Sequence, residues 1–195
     1  MAEILFLHHA LGLTAGQRDF ADSLRKAGHT VHTPDLYGGE VFETLDAGIA
    51  HGRALGFEAL LEDGVGAAEG LPAELVYMGY SLGVLPAQRL AQTRPGAKGA
   101  LFLESFVPPS EFGSWPGGVP AQVHGMDEDP IFAGEGDLDA ARAFVEATPE
   151  AELFLYPGKV HLFADPGLPT YDEAAAALLT ERVLAFLDGL SPTGG

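Results

Sequence analysis

An apolar run, Leu75-Val76-Tyr77-Met78, leads without a break into Gly79-Tyr80-Ser81-Leu82-Gly83, and a helical pattern follows with Leu82, Leu85 and Leu90 on one face. Strand, G-x-S-x-G, helix is a demanding combination. The chain must reverse within a few residues, so the serine sits on a sharp turn with its hydroxyl aimed into the cleft above a sheet. Both glycines follow from that turn, because a larger side chain two positions from the serine would collide with the adjoining strand and helix. The backbone N–H of Leu82 then faces the place where a negative oxygen would form. A glycine-rich loop whose serine caps a helix would account for the same five residues without chemistry. The flanking strand and helix favour the nucleophile elbow.

The rest of the chain reads as alternating strands and helices. Residues 3–7 form a buried strand, and His8-His9-Ala10-Leu11-Gly12 the loop at its C-terminal end. Thr14 and Gln17 have capping-box spacing and open a helix to about residue 27, with Phe20 and Leu24 inward, Arg25 and Lys26 in its last turn and Gly28 as its stop. Residues 29–33 are a second strand. Between 36 and 56 the periodicity weakens, and the stretch reads as a short helix with loops over the cleft. Phe57, Leu60, Leu61, Val65 and Ala68 return to helical spacing. The helix after Ser81 carries Pro86, which is tolerated in a first turn. Strands are expected at 99–103, 121–124 and 152–156, with a proline- and glycine-rich loop at 107–120. Asp137 reads as the N-cap of a helix with Leu138, Ala141, Phe144 and Val145 on one face. A Thr170–Glu173 capping box opens a last helix to about residue 188, and the residues from 191 onward read as frayed. Strands separated by helices need crossover connections. The expected fold is therefore α/β, a mostly parallel central sheet with helices on both faces, one domain over 1–195 and no large lid.

A serine is a poor nucleophile near neutral pH. It needs a base to take its proton, and the base needs an orienting acid. His161, past the 152–156 strand, is the candidate base. Asp129, past the 121–124 strand, is a candidate acid, with Asp127 two residues before it and Glu104, past the 99–103 strand, as competitors. In a parallel sheet all of these lie on the edge formed by the C-terminal strand ends. The order Ser, Asp, His is the one found in α/β-hydrolases. The loop after the first strand should supply a second oxyanion donor, with Ala10 the best placed and Gly12 permitting the turn.

Composition narrows the chemistry. There are no cysteines, so thiolate catalysis, disulfides and cysteine-bound metal are excluded, and a cytoplasmic location is expected. The start of the chain lacks the basic and long apolar stretches of a secretion signal, and no apolar run reaches the ~18 residues of a membrane span. A formal charge of −18 argues against nucleic acid and anionic membranes as partners. The 7 histidines show no metal-binding spacing, adjacent His8 and His9 pointing to opposite sides of an extended chain, so no metal is expected. The glycine-rich stretch at 64–70 matches neither a dinucleotide fingerprint nor a P-loop, and no cofactor is expected.

Several stretches together resemble the dienelactone hydrolase family of α/β-hydrolases: His8 to Leu13, Ala27 to Tyr37, Met78 to Gly83, His124 to Pro130, and Tyr156-Pro157-Gly158 with His161-Leu162-Phe163. The resemblance implies an α/β-hydrolase fold with Ser81 as nucleophile, Asp129 as acid, His161 as base, and the N–H groups of Ala10 and Leu82 as oxyanion donors. It implies a small-molecule partner, a carboxylic ester, lactone or thioester, cleaved through an acyl-enzyme; a chain of this class is expected to be a monomer or homodimer. The founding enzymes carry a cysteine nucleophile and a first-loop glutamate; here the corresponding residues are Ser81 and His9. His9 is accordingly expected to border the cleft and tune substrate or proton position, and Glu104 to lie at the pocket or behind it. None of Arg18, Arg53, Arg89 and Arg182 sits in a motif that would hold a substrate carboxylate. The same scaffold would also suit a non-catalytic binding protein or an acyltransferase.

Overall fold

Apolar residues run through both faces of the strands, the pattern of a sheet covered on each side. In the computed structural model, which describes residues 1–190, these strands form one six-stranded sheet in the order β2-β1-β3-β4-β5-β6. They are β1 (Glu3–Leu7), β2 (Thr30–His32), β3 (Val76–Tyr80), β4 (Gly99–Leu103), β5 (Ala121–Met126) and β6 (Ala151–Tyr156), and every pairing is parallel. The six helices are α1 (Ala15–Lys26), α2 (Leu45–Leu55), α3 (Phe57–Gly66), α4 (Val84–Thr93), α5 (Asp137–Ala147) and α6 (Glu173–Gly189).

The two-residue period of a strand assigns its side chains to opposite faces. Ile4 and Phe6 of β1, Val76 and Met78 of β3, and Leu101 and Leu103 of β4 pack with Leu24 of α1 and with Leu179, Val183 and Leu187 of α6. Leu5, Leu7, Tyr77, Ala100 and Phe102 pack with Val84, Ala87 and Leu90 of α4 and with Leu138, Ala141 and Phe144 of α5. The chain leaves β1 for the outer strand β2 and returns to β3 on the other side of β1. The loops after β1 and β3 therefore diverge, and a crevice opens between them at the C-terminal edge. This six-stranded parallel sheet, with helices on both faces, is the expected fold class.

Several local expectations are corrected. The buried face of α4 is Val84, Ala87, Leu90 and Ala91, not Leu82 and Leu85, which are only partly covered. A 3-10 turn at Ser81–Gly83 precedes the helix and resets its phase. Thr14 does cap α1, accepting from the N–H of Gln17, but the Gln17 amide makes no return bond. Asp137 is the first residue of α5, not its cap; the cap is Gly136. Its carboxylate turns away to accept from the Ser105 hydroxyl at 2.7 Å and the Phe106 N–H at 3.0 Å. The last helix is capped by Asp172, which accepts from Ala175 N–H, while the Thr170 hydroxyl donates to the carbonyl of Leu162. The expected fraying from 191 onward lies outside the described residues. No helix among the described residues is long and apolar enough to cross a membrane.

Candidate active site

The elbow is packed against backbone on both sides. A Cβ on Gly79 would lie 2.3 Å from the carbonyl oxygen of Gly83, and one on Gly83 would lie 2.3 Å from that of Leu7 in β1. Such distances leave room only for hydrogen, which is why the motif requires glycine at both places. Between them Ser81 takes a φ of 49°, in the left-handed region where a side chain is strained.

The turn presents the Ser81 hydroxyl to His161, donating to Nε2 at 2.9 Å. On the other side of the ring, Nδ1–H donates to Oδ2 of Asp129 at 2.6 Å. The second Asp129 oxygen accepts from the N–H of Ile131 at 2.9 Å, which fixes the carboxylate plane. Both Asp129 and His161 are buried. Burial pulls the imidazolium of His161 down. The hydrogen bond to Asp129 and the charges of Glu104, Asp129 and Asp137 outweigh that pull and hold it above its ordinary value. Asp127 is separated from this group: it is exposed and accepts from the N–H of Gly158 at 3.0 Å, tying the exit of β6 to the loop after β5.

The two expected oxyanion donors lie on the loops that flank the crevice. Ala10 is buried in the turn after β1, and Leu82 follows Ser81 in the 3-10 turn. Among the described residues neither backbone N–H donates to a backbone acceptor in the loops. Gly12, at φ 86°, supplies the turn after Ala10.

Glu104 and His9 stand elsewhere than a pocket wall. Glu104 is fully buried behind His161, with Oε2 3.4 Å from Nδ1. Burial pushes its carboxyl up to about 7, against the pull of His161 and of the Leu162 N–H. His9 has no exposed surface, so the expectation that it borders the cleft is not met. Its Nδ1 accepts from the Leu11 N–H at 3.2 Å and its Nε2 donates to Asp165 at 2.9 Å, leaving no nitrogen for a substrate. Burial lowers its pKa against the raising effect of the Asp165 carboxylate. Asp165 and Tyr80 are the residues that sequence reasoning missed. Asp165 also accepts from the Thr14 hydroxyl and from the N–H of Gly167, and these bonds, with that of His9, overcome its burial and hold its carboxyl low. The Tyr80 hydroxyl donates to Glu104 and accepts from the N–H of Ala164. No periodicity marks such contacts, since they join residues as much as 156 positions apart.

Glu104, Asp129 and His161 each bring one ligand atom to within 4.8 Å of the others. Those atoms are already committed to the hydrogen bonds above, and a cation there would break the Ser81–His161–Asp129 relay.

The profile of the dienelactone hydrolase family matches residues 2–191. The chain belongs to the dienelactone hydrolase family. Membership in that family makes it a hydrolase of ester bonds. A search of curated proteins returned no match. Among solved structures, the fold is similar to a dienelactone hydrolase-like promiscuous phosphotriesterase from metagenomic libraries, with a TM-score of 0.75 and 18% identity over 97% of this chain and 87% of that one. It is also similar to esterase 2 of Thermogutta terrifontis in a form phosphorylated by paraoxon, with a TM-score of 0.69 and 16% identity over 97% of this chain and 83% of that one. At these identities the likeness is one of fold.

Proposed function

We propose that this dienelactone hydrolase family member cleaves a small carboxylic ester, lactone or thioester through an acyl-enzyme on Ser81. The observation that carries the reading is the hydrogen-bonded relay from Ser81 through His161 to Asp129, with Ser81 on a strained elbow. His161 takes the Ser81 proton at Nε2 as Oγ attacks the carbonyl carbon, and Asp129 stabilises the imidazolium through Nδ1–H. The N–H groups of Ala10 and Leu82 receive the oxyanion. The imidazolium then returns its proton to the leaving oxygen or sulfur. In the second half His161 activates water, which releases the acid and frees Ser81.

A groove of about 380 Å³ beside His161 offers room for a small acyl or alcohol group. It is lined by Leu11, Leu45, Val160, Leu162 and Leu168, with Glu43 and Lys159 as its charged members. Of the four arginines weighed above, Arg89 pairs with Glu62 at 2.6 Å. Arg182 lies over the rings of Phe154 and Tyr156, and Arg18 and Arg53 are exposed on α1 and α2. None of them lines this groove.

The test pairs wild type with Ser81→Ala. Wild type should hydrolyse p-nitrophenyl esters and gain the mass of one diethylphosphoryl group with paraoxon. Ser81→Ala should do neither while keeping its fold by circular dichroism. Labelling that persists in the variant overturns the assignment of Ser81. A wild type inert to esters and paraoxon alike would instead favour a binding protein on this scaffold.

A further inference from the structure

Among the described residues, three other than glycine have positive φ: Ser81, Glu104 at 58° and Leu162 at 63°. The elbow accounts for Ser81. Glu104 and Leu162 account for each other, because the Leu162 N–H donates to Oε2 of Glu104. The next residue adds a second bond, from the Phe163 N–H to Oε1 at 3.1 Å, and the Tyr80 hydroxyl adds a third to Oε1 at 3.0 Å. One residue further on, the Ala164 N–H donates to that hydroxyl at 3.0 Å. Three successive N–H groups after His161 are thus fastened to the ends of β3 and β4. Beyond these donors the carboxylate meets the ring nitrogen of His161, 3.4 Å from Oε2, with the Asp129 carboxylate close by.

A buried carboxylate serving only to tie down a loop would be satisfied by its three donors and could face apolar side chains. This one faces the atom that carries the proton of a charged imidazolium. We propose that Glu104 is a positioning residue for His161, which sets the ring by gripping residues 162–163 and supplies a second negative charge to the imidazolium beside Asp129. The proposal rests on the serine-hydrolase reading above. Above about pH 7, where the Glu104 carboxyl is ionised, Nδ1–H stays with Asp129 when the Ser81 proton reaches Nε2, and Glu104 takes up no proton. Its role is electrostatic, and a backbone strained at both Glu104 and Leu162 persists because the pairing over-determines it.

The charged and titratable groups facing His161 are Asp129, Glu104, Asp137 and His9. Those facing Glu104 are His161, Asp129 and Tyr80. Removing the Glu104 charge leaves the others in place, so the imidazolium loses support and should lose its proton at lower pH.

Glu104→Gln keeps the shape and removes the charge. With p-nitrophenyl acetate, kcat should fall about ten- to a hundredfold at little-changed KM, the loss of one charge-assisted contact. The acid limb of kcat/KM should move to lower pH. So should the His161 titration followed by NMR in the Ser81→Ala background. With Glu104 in place, Asp129→Asn should cost less than the roughly 10⁴-fold seen when a triad has one carboxylate. The Asp129→Asn/Glu104→Gln double variant should fall to the Ser81→Ala level. Tyr80→Phe, which keeps the carboxylate but removes a donor that favours its charge, should move the titration the same way by less, and it serves if Glu104→Gln does not fold. A His161 titration unmoved in Glu104→Gln, or in Tyr80→Phe where that must stand in, overturns the proposal. A wild type without Ser81-dependent turnover would count against the hydrolase reading, and the NMR titration would still decide the role of Glu104.

Discussion

Gly79 and Gly83 are glycines because of what lies beside them, since neither has a positive φ. Carbonyl oxygens of the 3-10 turn and of β1 occupy the positions where their β-carbons would go. Ser81 carries the conformational cost instead, of order 1–3 kcal/mol for a residue held in a sparsely populated region. The packing between strand and helix must outweigh it. Gly83→Ala should therefore lower the unfolding free energy by about 3 kcal/mol, since the Leu7 and His8 backbone cannot move aside as a side-chain tip would. A urea midpoint unchanged from wild type would show that the contact with Leu7 is looser than the structure has it. The requirement for small residues was legible from the motif. The partner on the other side, the carbonyl of Leu7, was not, because nothing in five residues says which strand lies alongside.

At the scale of elements, the least legible stretch was 36–56, and α2 shows why. The buried residues of this helix are Gly48 and Gly52, which share a face one turn apart. It seats itself by close backbone approach, with no apolar stripe, so its hydrophobic period is faint. A Cβ on Gly48 would lie 2.1 Å from the carbonyl oxygen of Ala10, the proposed oxyanion residue. Gly48→Ala should push α2 against the loop that carries this donor. Because the helix buries little else, the stability cost should stay near 1 kcal/mol. Displacing one oxyanion donor should cost about a hundredfold in kcat/KM. Urea denaturation and p-nitrophenyl acetate kinetics on one preparation separate the two effects, and equal losses in both would detach α2 from the chemistry. Asp137 and Thr170 show a related limit. Each has the residue type of a cap, but Ser105 and Leu162 compete for their side chains, and those partners lie 32 and 8 positions away.

At the scale of the whole molecule, histidine burial couples stability to pH. Burial lowers His8 to about 4 and His124 to about 3, and it lowers His9 as well. Below the unfolded value of 6.5 the unfolded chain binds protons at these sites that the folded chain refuses. They therefore contribute stability that is present above 6.5 and is lost as pH falls. Glu104 has the opposite sign. Its folded value of about 7 against 4.5 unfolded lets the folded chain hold an extra proton between those limits. His8 and His124 against Glu104 leave a net excess of about one proton in the unfolded state, and His9 and His29, lowered in the same direction, add to it. Stability should rise by at least about 1.4 kcal/mol per pH unit between pH ~4.5 and ~6. Urea titrations across that interval measure the slope, and a flat profile would mean that these histidines are protonated in the folded chain.

Local pattern determined the alternation of strands and helices, the parallel sheet, the elbow, and the placing of Ser81, Asp129 and His161 on loops at one sheet edge. These depend on side-chain period, turn sterics and the rule that parallel strands need crossovers, all of which are written in neighbouring residues. Tertiary structure decided which acid stands against His161. Asp127 and Asp129 are two positions apart in one loop, and only the packed loop turns one toward the ring and the other toward Gly158. It also decided that His9 is sealed against Asp165 and that Glu104 lies behind the imidazole. Those contacts pair residues brought together by the sheet order, and burial at such a junction sets the charge of each group. Neither distance nor burial at a junction is a property of any short stretch of chain.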